Sequence, residues 1–107
     1  MGLSFALDEL QATGWSDLDS TGCAYDVDGR AYPTVARVRL ELASAGFELA
    51  ITKVAKFNCY RAEWHEAGGP TDDHAQTAVV GHTEAEAAVY ALAHVRRSLS
   101  RSLVGAD

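Results

Sequence analysis

The end of the chain constrains the fold most, because residues 81–103 carry a complete helix signature. Thr83 can cap the first turn, and Glu86 can reach back to the Thr83 amide to complete a capping box. Apolar side chains then recur at helical spacing and form one stripe. A helix with a single apolar stripe requires a surface to cover. The stripe consists of Ala85, Ala88, Val89, Leu92, Val95, Leu99 and Leu103.

Three strand-like segments upstream of this helix predict the surface that it covers. Apolar and polar side chains alternate over residues 47–52 and again over residues 57–66, which is typical of half-buried strands. Residues 76–81 predict a short third strand. Adjacent strands joined by short connections pair antiparallel most readily. We therefore expect a three-stranded antiparallel sheet.

A second amphipathic helix is predicted before the first strand. The apolar residues of segment 34–45 share one helical face, and Gly46 is well placed to end the helix. Two apolar helix faces and one sheet face can bury one another. The sequence therefore predicts an α+β fold in the order α-β-β-β-α, with both helices packed on one face of the sheet.

The first 33 residues predict an arm that precedes this core. Ser4 can cap a short helix over residues 5–12, and Gly14 can stop it. Turn-forming residues then predict an irregular wrapped loop over residues 16–33. A chain of 107 residues is the size of one domain. We expect a single domain over residues 1–107, with an arm (1–33) and a core (34–103).

The charge and composition exclude several classes of protein. The net charge is −6, which works against binding to nucleic acid and to anionic lipid. No apolar run approaches the roughly 20 residues that a membrane helix needs, and no secretion signal is evident. We therefore expect a cytoplasmic protein. Cys23 and Cys59 could form one disulfide, but reduced, packed thiols are the favoured interpretation.

No segment carries a convincing catalytic or metal-binding pattern. The acidic turn at residues 26–29 resembles a calcium loop, but Val35 stands where the closing glutamate is needed. Cys59 and His65 share a strand face about 20 Å apart at ~3.3 Å per residue, too far for a nucleophile and its base. A ligand or metal site where Cys59, His65 and His82 converge is an alternative, although close ligand spacing is absent. We predict no catalytic residue, cofactor or metal.

The ending Gly81-x-Thr83-x-x-Glu86-Ala87-x-x-x-Ala91-Leu92 resembles the last turn and helix of the double-stranded-RNA-binding domain. The order of elements over residues 34–99 is also that of this family, and the ending is similar to small bacterial and phage-type proteins of unknown role. The resemblance implies the α-β-β-β-α fold and RNA binding. The family, however, places phosphate-binding lysines at the start of this helix. This chain has His82, Thr83, Glu84 and Glu86 there, and its basic residues Arg96, Arg97 and Arg101 lie at the other end.

Two surfaces are left free by this arrangement. On segment 57–66 the alternation places Tyr60, Ala62 and Trp64 in the core and the intervening polar residues on a solvated face. Tyr90 points away from the apolar stripe, so either the arm or a partner covers it. We hypothesise a small acidic interaction module without catalytic activity that binds another protein or itself, a homodimer included; the alternative is an RNA-binding module. The candidate interaction surface consists of Arg61, Glu63, His65 and Tyr90.

Overall fold

The computed structural model describes residues 2–15, 22–26, 29–66 and 78–105, the last six of these by their backbone alone. The fold is α+β, with three helices and two antiparallel sheets, as the sequence predicted at the level of fold class. The helices are α1 (Leu3–Gln11), α2 (Val35–Ser44) and α3 (Glu84–Gly105). The strands are β1 (Cys23–Tyr25), β2 (Ala31–Pro33), β3 (Phe47–Val54), β4 (Cys59–Glu66) and β5 (Ala78–Gly81), with a 3-10 turn at Ala55–Phe57 between β3 and β4.

The larger sheet has the order β3-β4-β5, and both strand pairs are antiparallel. Leu49 lies opposite Trp64 in the first pair, and Tyr60 lies opposite Gly81 in the second. The predicted three-stranded antiparallel sheet is therefore confirmed. Residues 76–77, predicted from the sequence to begin the third strand, lie outside the described residues.

The expectation of an irregular loop over residues 16–33 is wrong where the structure describes it. β1 and β2 pair as a small antiparallel hairpin. The turn residues that suggested a loop close this hairpin instead: the Asp26 amide donates to the Arg30 carbonyl (3.0 Å), and the Arg30 amide donates to the Asp26 carboxylate (2.9 Å). Gly29 has a φ of 80°, which a residue with a side chain rarely adopts. The prediction fails because the turn residues of a hairpin with very short strands are the same residue types that occur in irregular loops.

Helix α3 lies at the centre of the core and contacts both the N-terminal arm and the large sheet. α3 packs against α1, α2, β4 and β5, and α2 also contacts β3. Helix α1 belongs to this core, because Ala6, Leu7 and Leu10 are fully buried. The cluster of buried residues comprises Ala6, Leu7, Leu10, Trp15, Val38, Leu42, Leu49, Ala62, Trp64, Ala87, Ala88, Val89, Ala91, Leu92, Ala93 and Val95.

Polar contacts join α1 and the turn after it to the second half of α3. Arg97 pairs with Glu9 (Nη2 to Oε2, 2.7 Å), and Arg96 Nε donates to the Thr13 hydroxyl (2.9 Å). Two of the three arginines in the basic group at that end are therefore engaged inside the molecule. None of the helices in the described part of the chain is long and apolar enough to cross a membrane.

Candidate functional site

The residues predicted for an interaction surface lie in two separate places. Arg61, Glu63 and His65 project from one side of β4. Tyr90 lies on α3, where its ring is 6.5 Å from that of Phe5 on α1. The structure therefore groups the three β4 residues and places Tyr90 at a second site, partly covered by the N-terminal arm.

The first site is the outer face of the large sheet, the side formed by the exposed residues of β3, β4 and β5. Arg61 Nε lies 2.6 Å from Glu63 Oε1, and His65 Nε2 lies 3.1 Å from Glu48 Oε2 on the neighbouring strand. Exposed ion pairs such as Arg61–Glu63 contribute little to stability. They place both signs of charge in ordered positions on an accessible surface. The exposed residues of this face are Glu48, Ala50, Thr52, Arg61, Glu63 and Val80.

Exposed apolar side chains lie on the two outer strands, on either side of the charged residues of β4. Val80, which pairs with Arg61 across β4 and β5, is 58% exposed. Ala50 pairs with Glu63 across β3 and β4 and is also exposed. The outer face thus combines a charged central strand with exposed apolar side chains on the two strands beside it, and protein contacts commonly mix polar and apolar surface in this way.

The second site is a pocket of about 570 Å³ beside the N-terminal end of α3, here called the α3 pocket. Its volume falls within the ~300–1,000 Å³ typical of small-molecule sites. Of the residues singled out from the sequence, it contains Tyr90 from the interaction surface and His82 from the alternative ligand or metal site. The packing of α1 on α3 brings Phe5 to the α3 pocket. No local sequence pattern predicts the contact between Phe5 and Tyr90. The pocket is lined by Gly2, Phe5, Val79, Val80, His82, Glu86 and Tyr90.

Local sequence explains how the floor of the α3 pocket forms. The Thr83 hydroxyl accepts a hydrogen bond from the Glu86 amide (3.1 Å), so the predicted cap at the start of α3 is confirmed. Gly81 allows the first turn of α3 to lie directly on β5: a Cβ there would be 2.7 Å from the Ala87 nitrogen. The same close approach would place that Cβ 3.0 Å from Glu86 Cγ.

Among the residues that the structure describes, Glu86 is the charged residue that is buried, with 5% of its surface exposed. Its Oε1 lies beside the backbone of Gly2, and its Oε2 lies 3.6 Å from His82 Nδ1. The His82 side chain is 75% exposed. Burial, together with the negative charges of Glu86 and Glu9, raises the pKa of the Tyr90 hydroxyl above its ordinary value.

The alternative site at Cys59, His65 and His82 is spread along the sheet. Cys59 and His65 lie at opposite ends of β4. His82 follows Gly81, which pairs with Tyr60, and so belongs to the Cys59 end. Across the described ranges, no group of three or more His, Cys, Asp or Glu side chains is placed to hold a metal ion.

Comparisons with known proteins add no family assignment. No family model matches the chain, and neither the curated proteins nor the solved structures include a significant match. The function must therefore be inferred from the residues of this chain and their geometry.

Proposed function

We propose that this protein is a small acidic interaction module, without catalytic activity and located in the cytoplasm, that pairs through the outer face of its large sheet. The observation that carries the proposal is Val80, an apolar side chain that is 58% exposed on the edge strand β5, directly beside the charged central strand of the outer face. An exposed apolar group bordered by charged groups is typical of a recognition surface. The favoured partner is a second copy of this chain.

Self-association is favoured because the outer face carries both signs of charge close together. A two-fold contact uses the same patch on both subunits, so the patch must be complementary to itself. Arg61 in the centre of β4 and Glu48 on β3 supply opposite charges on one face. A two-fold axis through this face can set Arg61 of one copy against Glu48 or Glu63 of the other.

The test is the mass in solution, measured by light scattering across a concentration series. The wild-type protein should rise from 11.4 kDa towards twice that mass. Arg61→Glu and Ala50→Lys should keep the protein monomeric, because each places unfavourable charge or bulk on the outer face. Lys53→Glu is the matched control, since Lys53 is exposed on the same sheet but belongs to its other side.

Two results would count against this proposal. One is a wild-type mass that stays at 11.4 kDa at every concentration. The other is association by Arg61→Glu to the same degree as by Lys53→Glu, which would place the contact elsewhere on the molecule.

RNA binding, which the family resemblance implies, has less support. Arg96 and Arg97 are held by Thr13 and Glu9 inside the molecule. The first turn of α3 carries acidic residues where the family has lysines. A titration with duplex RNA at low salt, where phosphate contacts are strongest, decides the matter. Retardation of the RNA would favour this alternative over pairing through the outer face.

A further inference from the structure

We propose that the α3 pocket binds a small organic amine with an apolar body, its ammonium group at Glu86 and its hydrocarbon part against Phe5, Val79 and Tyr90. The α3 pocket and the outer face share Val80, but Phe5, Glu86 and Tyr90 belong to the pocket alone, and neither proposal requires the other. Three features of the pocket lead to this class of ligand: a buried carboxylate, an aromatic wall and a local excess of negative charge.

The buried carboxylate is the first feature. A carboxylate removed from water is costly unless it is paired or hydrogen-bonded. Within the described residues, the side chain that approaches the Glu86 oxygens is that of His82, at 3.6 Å and therefore outside hydrogen-bonding distance. Every fully buried side-chain oxygen or nitrogen described has a partner. The Glu86 oxygens are therefore not fully buried. Glu86 lines the α3 pocket, and a ligand in this pocket can supply a hydrogen-bond donor to its carboxylate.

The aromatic wall is the second feature. The rings of Phe5 and Tyr90 are tilted by 54° and lie 6.5 Å apart between centroids. Phe5 remains 50% exposed, so its ring is available to a ligand. Val79 adds an aliphatic surface at the same pocket. An alkyl or aryl body can bury this surface, and the faces of aromatic rings also attract ammonium groups.

The local charge is the third feature. The N-terminus of a helix carries about half a positive charge, which by itself attracts anions. In α3, Glu84 and Glu86 both lie in the first turn and more than offset it. His82 is the one basic side chain among the residues that line the α3 pocket. The pocket therefore favours a cation and disfavours an anion of the same shape.

The experiment compares three probes of matched shape by NMR titration of the isotope-labelled full chain. Phenethylamine is a cation, phenethyl alcohol is neutral, and hydrocinnamate is an anion. Phenethylamine should give saturable shifts at the amides of Phe5, Val79 and Tyr90. It should bind roughly tenfold more tightly than the alcohol, the ratio that a charge-assisted hydrogen bond supports. Hydrocinnamate should bind most weakly.

Two variants test the role of the carboxylate. Glu86→Gln should weaken phenethylamine about tenfold and leave phenethyl alcohol unchanged. Glu84→Gln is the matched control, because Glu84 is exposed in the same helical turn. It removes the same charge from a position in water, so it should weaken phenethylamine much less than Glu86→Gln does and leave phenethyl alcohol unchanged. The wild-type probe series stands by itself if Glu86→Gln does not fold.

Three results would overturn the proposal. Phenethylamine at millimolar concentration should saturate the site, so the absence of any saturable shift at the pocket would exclude the proposed ligand class. Hydrocinnamate binding as tightly as phenethylamine would show that charge does not select the ligand. Folded Glu86→Gln with unchanged affinity for phenethylamine would remove the carboxylate from the site.

Discussion

The two sides of the large sheet use the same strands for opposite purposes. On the inner side Leu49, Ala62 and Trp64 are at most 8% exposed and pack beneath the helices. On the outer side their neighbours Arg61 and Glu63 are exposed and charged. Because side chains alternate along a strand, the buried core and the exposed outer face are encoded in interleaved residues. Substitutions on the inner side should therefore change stability, and those on the outer side should change association.

The largest difference between the two sides is expected at adjacent residues of β4. Trp64→Ala should lower the free energy of unfolding by about 3–5 kcal/mol, because it removes a large side chain from the core. His65→Ala, one residue further on the outer side, should change it by less than about 1 kcal/mol. Urea denaturation of both variants measures the contrast. Equal losses would mean that the outer side also supports the fold.

A smaller effect is expected where α3 meets the inner side of β5. Gly81→Ala should cost about 1–3 kcal/mol, because the added methyl group meets the backbone of Ala87 and forces α3 to move. Val80→Ala, the adjacent exposed position, should cost less than ~1 kcal/mol. The measurement is thermal or urea unfolding. A Gly81→Ala variant as stable as the wild type would show that the close approach of α3 to β5 is dispensable.

The elements of the large sheet and of α3 could be predicted because local patterns specify them. The alternation over β4 and the cap at Thr83 both depend on residues close together in sequence. The β1–β2 hairpin was missed because each strand is only three residues long, too short to show alternation. Its Asp26 and Gly29 turn contacts then resemble those of any loop.

The candidate sites were predictable only in part. The solvated side of β4 follows from its period of two, so Arg61, Glu63 and His65 could be placed on one surface. The α3 pocket depends on α1 packing against α3, a contact between Phe5 and Tyr90 that lie 85 positions apart in the chain. Glu86 illustrates the limit: the sequence indicates a capping residue, and only the tertiary structure shows that its carboxylate is buried at a pocket.

The next largest effect on stability is expected at the N-terminal cap of α3, the helix that packs on the inner side of the sheet. Thr83→Ala should destabilise the protein by about 1 kcal/mol, because the hydroxyl that accepts from the Glu86 amide is lost. Thr52→Ala removes a hydroxyl from an exposed position on the outer face and should stay within ~0.5 kcal/mol of the wild type. Chemical denaturation distinguishes the two. Equal effects of the two substitutions would show that the Thr83 hydroxyl does not stabilise the start of α3.

The smallest effect is expected in the alkaline titration of Tyr90. Burial and the charges of Glu86 and Glu9 raise its pKa, so its phenolate should form above the pH at which an ordinary tyrosine ionises. The folded state then holds this proton more tightly, so the associated stability is present at neutral pH and is lost as the pH rises through the raised pKa. The difference in phenolate absorbance between the wild type and Tyr90→Phe isolates this group. A midpoint at or below the ordinary tyrosine value would contradict the assignment.

The most direct test of the central claim, that the outer face is the pairing surface, is an isotope-filtered NOE experiment on a mixture of labelled and unlabelled protein. The account predicts contacts between copies at the methyl groups of Ala50 and Val80, and their loss in Arg61→Glu. Contacts between copies at Leu40, which is 68% exposed on α2, would contradict it, as would no contact between copies at millimolar concentration.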